Sequence, residues 1–229
     1  MEFYQTLRYN IAQHNYKLLK VFGVTHCSTV DGPGLRTVVW FQGCKNHCKG
    51  CHNPDSWETY DQPGAENTDD PRYKFIRNYG HSALYTKCQP NKLEDGLTLS
   101  GGDPLWQNNL LELAYFIRTY HNFNPQKNIW MYTGLKYGNI KKRIREWVTN
   151  KAHVDTEDPI NVENILEYTR WLYDFLFEYV DVLVDGPFVE ELKTDKCIYR
   201  GSSNQRLINI KESIKKKELV LFDPNNIQI

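Results

Sequence analysis

Four short apolar segments of this chain each run directly into a glycine-rich or polar turn. They are TVVWFQGC from Thr37, LTLSGGDP from Leu97, NIWMYTG from Asn128 and VDVLVDGPF from Val180. A short apolar run bounded by turn residues is typical of a strand that is buried on both faces of a sheet. The sequence therefore predicts four buried strands, each followed by a turn of glycine and polar residues that could form part of a site.

Apolar residues at helical spacing lie between these segments. One pattern covers residues 110–120, a second covers 140–148, and the longest covers about 162–180. Strands that alternate with helices predict an α/β fold with a parallel sheet. Because reactive groups gather at the carboxyl ends of parallel strands, we expect the four strand exits to form one composite site.

Two polar stretches interrupt this alternation, at residues 60–95 and 149–159. Their content of Asp, Asn, Pro and Lys predicts insertions or surface excursions. The length of 229 residues suits a single large α/β domain.

Composition and charge argue against several classes of function. The 28 basic and 28 acidic side chains balance, so no global field draws the chain to nucleic acid or to an anionic membrane. The aromatic residues are dispersed through segments that resemble core, which favours packing over base stacking. No signal peptide and no apolar stretch of transmembrane length is recognisable, so we expect a soluble, cytoplasmic protein.

Three of the six cysteines crowd into the segment GCKNHCKGCHNP, at Cys44, Cys48 and Cys51. A disulfide framework is typical of short secreted chains, which this chain is not. The C-x3-C-x2-C spacing lets one loop wrap around a single metal centre, and thiolates are the natural ligands of iron–sulfur clusters. We therefore expect an iron–sulfur cluster on this loop.

A four-iron cluster normally takes four cysteines, so the fourth iron would hold either another protein ligand or a substrate. The remaining cysteines, Cys27, Cys88 and Cys197, are the protein candidates, although each is most simply a small buried apolar residue. Two alternatives stay open. One is a zinc site that adds His47 or His52, and the other is a plain electron carrier.

The exit of the second predicted strand reads Ser-Gly-Gly-Asp-Pro from Ser100. Gly101 and Gly102 allow a backbone to approach a ligand closely, and Asp103 supplies an acceptor. Alone this signal is weak, because Asp103 could equally be a turn or capping residue before a helix that begins near Asn108. The two roles are compatible.

The cysteine motif after the first predicted strand, with SGGDP after a later one, resembles the radical S-adenosylmethionine superfamily. Within it the chain is similar to the activating proteins of anaerobic ribonucleoside-triphosphate reductases. The matching segments are DGPGLR, GC-x3-C-x-GCHNP, LSGGDPL, MYTG, VDVLVDGPF and RGSSNQR, which follow the family's order across residues 30–206.

This resemblance implies an incomplete TIM-like barrel of parallel strands, in one domain over residues 1–229 with insertions near 60–95 and 137–179. It implies a [4Fe-4S] cluster on the three loop cysteines and S-adenosylmethionine as second cofactor. Cofactor contacts are expected from Gly101, Gly102 and Asp103, with Gly50 and His52 beside the adenine. No catalytic residue beyond cluster and cofactor is expected, because hydrogen abstraction requires no general acid or base.

The resemblance also implies the reaction. Reductive cleavage of S-adenosylmethionine would give a 5′-deoxyadenosyl radical that abstracts hydrogen from a glycine of the reductase. The expected partners are that reductase and an electron donor such as flavodoxin or a thioredoxin-type reductant, with no nucleic acid and no membrane. The alternatives are an activase of another glycyl-radical enzyme, of the formate acetyltransferase type, and a small-molecule radical enzyme.

Arg36 and the segment RGSSNQR each allow two interpretations. Arg36 could contact a cofactor carboxylate or a protein substrate, or be an ordinary arginine at a strand start. The segment RGSSNQR from Arg200 is expected to have a structural or partner-docking role.

Overall fold

The computed structural model describes residue 5 and residues 18–59, 76–152 and 157–225. They form a seven-stranded mixed sheet in the order β3-β1-β2-β4-β5-β6-β7. The strands are β1 (Leu19–Ser28), β2 (Arg36–Phe41), β3 (Arg77–Tyr79), β4 (Gly96–Gly101), β5 (Asn128–Tyr132), β6 (Val182–Asp185) and β7 (Arg206–Asn209).

Helices connect the central strands. They are α1 (His81–Lys87), α2 (Leu110–Phe123), α3 (Ile140–Ala152), α4 (Pro159–Phe177) and α5 (Ile210–Lys216). Short 3-10 turns lie at Pro54–Ser56, Pro104–Trp106, Tyr137–Asn139 and Glu190–Leu192.

The four predicted strands are β2, β4, β5 and β6, and they are mutually parallel at the centre of the sheet. Antiparallel strands flank them, β1 and β3 on one side and β7 on the other. Within the described residues β3 and β7 end the sheet, so the predicted incomplete barrel is confirmed as an open arc. The cysteine loop follows the second strand in chain order, because β1 precedes β2.

The helical predictions hold with shifted ends. α4 begins at Pro159, because the Asp158 carboxylate accepts a hydrogen bond from the Ile160 N–H at 2.9 Å and proline suits the first turn. Of the insertion or surface excursion expected at 149–159, residues 149–152 continue α3 and bury Ala152, and residues 153–156 lie outside the described residues. Of the excursion expected at 60–95, residues 60–75 lie outside the described residues, and the rest supplies β3 and α1.

The hydrophobic core lies between the sheet and the helices. Leu97, Leu99, Ile129 and Met131 of the parallel strands are fully buried in one cluster with the inner face of α2. Burying such side chains stabilises the fold by about 1.5–3 kcal/mol each. The core thus holds the carboxyl ends of β2, β4, β5 and β6 in fixed relative positions.

In the described part of the chain, no helix combines the length and the apolar character needed to cross a membrane.

Candidate metal centre

A cavity of about 520 Å³ lies at the carboxyl ends of the parallel strands. The three loop cysteines, Cys44, Cys48 and Cys51, line it together with glycines from the exits of β4, β5 and β6. The composite site expected from the strand exits is therefore present. It forms because parallel strands deliver their exits to one edge of the sheet.

Backbone hydrogen bonds close the base of the cysteine loop. The Gly43 N–H donates to the Ser56 carbonyl at 2.7 Å, and the Cys44 N–H donates to the Trp57 carbonyl at 3.0 Å. The segment from Cys44 to Ser56 is thereby pinned at both ends, which reduces the conformational entropy that the loop must lose on binding a metal.

The glycine-rich exit of β4 packs directly under this loop. The Gly102 N–H donates to the Phe41 carbonyl, and the Asp103 N–H donates to the Gly43 carbonyl. A Cβ added at Gly102 would lie 2.5 Å from the Gly43 oxygen, and Gly101 has φ +99° with a Cβ position 2.4 Å from the Phe41 nitrogen. Glycine is required at both positions by close backbone contact.

Burial sets the protonation of the thiols. Cys44 is 8% exposed, and burial, with a smaller contribution from the Asp103 charge, raises the pKa of its thiol to about 11. Burial also raises the pKa of Cys48. Since the thiolate is the form that binds metal, a metal must displace these protons when it binds.

Asp103 lies beneath the cavity and is fully buried. One carboxylate oxygen accepts from the Leu105 N–H at 2.9 Å, which caps the following 3-10 turn. The other accepts from the Thr133 hydroxyl and the Gly134 N–H, both at 2.9 Å, and from the Asn46 amide at 3.2 Å. Burial raises the pKa of Asp103 to about 6. The carboxylate ties the cysteine loop to the exits of β4 and β5.

The segment RGSSNQR contributes to the cavity wall. The Gln205 amide oxygen accepts from the N–H groups of Gly201 and Ser202, and its amide nitrogen donates to the Gly186 carbonyl. Arg200 donates to the Gln205 carbonyl at 2.9 Å. Its role is thus at least structural, as expected, and it places Arg200, Gly201 and Gln205 on the cavity lining.

The residues present fit an iron–sulfur cluster. Three soft thiol donors face one cavity whose floor is free of side chains at Gly101, Gly102 and Gly134. Among the described residues, no three His, Cys, Asp or Glu side chains converge on a single metal ion. Three thiols on one cavity lining suit a cluster in which each cysteine binds a different iron.

Comparison with known proteins agrees with this chemistry. A family model for a 4Fe-4S single cluster domain matches residues 30–208, a range that includes every residue lining the cavity. The anaerobic ribonucleoside-triphosphate reductase-activating protein of Salmonella typhimurium is 31% identical over 177 residues, which are 77% of this chain and 89% of that protein. This chain belongs to the reductase-activating protein family.

A second member of the reductase-activating protein family, from Enterobacteria phage T4, is 29% identical over 192 residues, or 84% of this chain and 95% of that protein. Among solved structures, a match to QueE from Escherichia coli covers 55% of this chain and 56% of that protein, with 12% identity and a TM-score of 0.39. The resemblance inferred from the motifs is confirmed, and the chain carries the family's iron–sulfur domain.

The two remaining predicted cofactor contacts differ in position. His52 lines the cavity and meets Phe188 edge-on, with ring centroids 5.7 Å apart. Gly50 does not line it; it has φ +69° and faces Glu190, whose carboxylate oxygen lies 2.7 Å from a Cβ built at Gly50. Adenine contacts from both residues stay a prediction.

The other cysteines and Arg36 are now placed. Cys88 is fully buried, as expected, but Cys27 is exposed, and Cys197 is half-buried on the cavity lining. Arg36 is fully buried and donates to Thr98, Leu97 and Asn128, away from the cavity. Its structural interpretation is therefore the correct one.

Sequence reasoning missed Asn46 and Thr133. Asn46 stands between two cysteines without any pattern of its own, and Thr133 lies in a segment noted only as a strand exit. Their contacts with Asp103 join parts of the chain 57 and 30 positions apart, which no local signal reports.

Proposed function

We propose that this protein activates an anaerobic ribonucleoside-triphosphate reductase by radical S-adenosylmethionine chemistry, with a [4Fe-4S] cluster on Cys44, Cys48 and Cys51. When bound, such a cluster supplies one electron to cleave S-adenosylmethionine, and the resulting 5′-deoxyadenosyl radical removes a hydrogen atom from a glycine of the reductase. The observation that carries the proposal is that all three loop thiols share one cavity with the glycine-rich strand exits.

The residues of the chain itself would hold the metal centre, orient the cysteine loop and leave space for a second cofactor. The three cysteines hold the metal centre, and the bare backbone at Gly101 and Gly102 lets a second cofactor lie close to the sheet edge. Asp103 acts from below by fixing the cysteine loop against β4 and β5, rather than from the cavity surface. The wall at Arg200 and Gln205 supplies polar contacts.

The protein substrate is the reductase, and the electron donor is a flavodoxin or a thioredoxin-type reductant. A balanced net charge gives no general attraction for nucleic acid or anionic lipid. We place the protein in the cytoplasm and infer that residues 1–229 form one domain.

The experiment is anaerobic reconstitution with iron and sulfide, followed by reduction and assay of 5′-deoxyadenosine formed from S-adenosylmethionine. A cognate anaerobic reductase is added in one arm and a formate acetyltransferase in another, and the glycyl radical is measured by EPR. We expect cofactor cleavage and a radical on the ribonucleotide reductase alone.

Variants in which Cys44, Cys48 or Cys51 is replaced by alanine should lose cleavage completely. Cys88→Ala is the matched control, because Cys88 is buried away from the cavity and should leave cleavage nearly intact. Cleavage without radical transfer would point to another radical substrate, and zinc without sulfide in the purified protein would contradict the proposal.

A further inference from the structure

The side chain of Asn46 bridges a predicted metal ligand and the buried carboxylate. Its amide nitrogen lies 3.5 Å from the Cys44 sulfur and 3.2 Å from an Asp103 carboxylate oxygen. An amide nitrogen carries two hydrogens, so both contacts can be made at once. Asp103 in turn is fixed by Leu105 and Gly134, so the bridge has a rigid foundation.

The exit of β5 leaves space for this bridge. A Cβ built at Gly134 would lie only 2.1 Å from the Asn46 amide nitrogen. Gly134 therefore cannot be replaced by a larger residue without moving the Asn46 carboxamide. The position of Asn46 is determined jointly by the cysteine loop, Asp103 and the absence of a side chain at Gly134.

The other donors to the loop sulfurs belong to the backbone. The Asn53 N–H donates to the Cys51 sulfur at 3.4 Å, the Phe188 N–H donates to Cys48, and the backbone N–H groups of Asn46 and His47 donate to Cys44. Within the part of the chain that the structure describes, Asn46 is the side-chain donor to these three sulfurs.

We infer that Asn46 is a positioning residue of the metal centre: its carboxamide orients the Cys44 sulfur and raises the reduction potential of the bound cluster. The inference rests on the proposed function, which makes Cys44 a ligand. Reduction adds negative charge to cluster and thiolates, and a hydrogen bond to sulfur stabilises the more negative state more strongly. Hydrogen bonds around ligands tune metal sites in this way.

The test is an EPR-monitored redox titration of the reconstituted protein, without S-adenosylmethionine and without a partner. Asn46→Ala removes the donor, and Gly134→Ala displaces it without changing the cysteine loop. We expect both variants to bind iron and sulfide in the wild-type ratio and to show a more negative midpoint potential. Gly138→Ala is the matched control, because a Cβ there meets no atom within 4 Å, and its potential should equal that of the wild type.

Asn46→Leu guards against misfolding, because it keeps about the same side-chain size and removes the donor without placing a second carboxylate beside Asp103. It should shift the potential in the same direction as Asn46→Ala. Wild-type potentials in Asn46→Ala and Gly134→Ala, or an equal shift in Gly138→Ala, would overturn the inference while the proposed function stands. A wild-type protein that assembles no cluster would overturn both.

Discussion

Replacing Arg36 by lysine tests whether this buried cation is part of the framework or a ligand contact. The guanidinium joins three strands, donating from β2 to the Thr98 hydroxyl at 3.1 Å and the Leu97 carbonyl at 2.6 Å in β4, and to Asn128 in β5. It also lies over the Trp130 ring, 5.9 Å from the centroid. Burial lowers the pKa of Arg36 to about 10.

The magnitude follows from the acceptors that lysine cannot reach. An ammonium group lacks the planar fork of arginine, so it leaves at least one of the buried acceptors on Leu97, Thr98 and Asn128 unpaired. Each unpaired buried acceptor costs about 1–3 kcal/mol, and the contact with Trp130 adds about 0.5–1 kcal/mol. We expect Arg36→Lys to lower the free energy of unfolding by about 3 kcal/mol.

The assay is chemical denaturation of the cluster-free, reduced protein, followed by circular dichroism. Arg145→Lys is the matched control, since Arg145 is exposed on α3 and its replacement should change stability by less than about 0.5 kcal/mol. The folded fraction of Arg36→Lys should still take up iron and sulfide. Wild-type stability combined with weakened binding of S-adenosylmethionine would refute the structural role and restore the ligand contact.

Two further predictions concern the floor of the cavity. Burial raises the pKa of Asp103 from 3.8 to about 6, so the stability that its protonated form contributes is fully present below pH 3.8 and is lost as pH rises through 6. Because part of the loss falls below pH 4.5, denaturation between pH 4.5 and 7.5 should show a decline of about 2 kcal/mol that Asp103→Asn removes. Parallel curves for wild type and variant would contradict this. Gly102→Ala should lower the free energy of unfolding by about 1–3 kcal/mol and reduce iron binding, because the new Cβ meets the Gly43 carbonyl. Gly138→Ala places its Cβ in open space and should change neither property. Denaturation measures the first effect and iron analysis the second.

The centre of the sheet could be predicted from sequence and its edges could not. The strands β2, β4, β5 and β6 are almost continuously buried, so each appears in the sequence as a short, mostly apolar run. β1 is mostly half-exposed or exposed, and its pairing with β2 shifts register twice, which breaks any regular alternation. β3 has three residues and owes its existence to pairing with β1.

The site divides in the same way. The local spacing of Cys44, Cys48 and Cys51 predicts a metal site. The double glycine of β4 is recognisable because it follows a predicted strand. The orientation of Asp103 could not be predicted, because its hydrogen bonds to Asn46 and Gly134 depend on how separate loops meet. Sequence reasoning therefore identifies the donors of such a centre more readily than the residues that aim them.

The composite origin of the cavity has a consequence for the order of events in the cell. The cysteine loop is synthesised before the part of the cavity wall at Arg200 and Gln205, which follows about 150 residues later. At roughly 5–20 residues per second, the thiols of the nascent chain wait on the order of ten seconds for that wall. Metal delivered after that wall has been synthesised would enter a partly enclosed cavity, whereas metal delivered earlier would be open to oxygen on the side where the wall is missing.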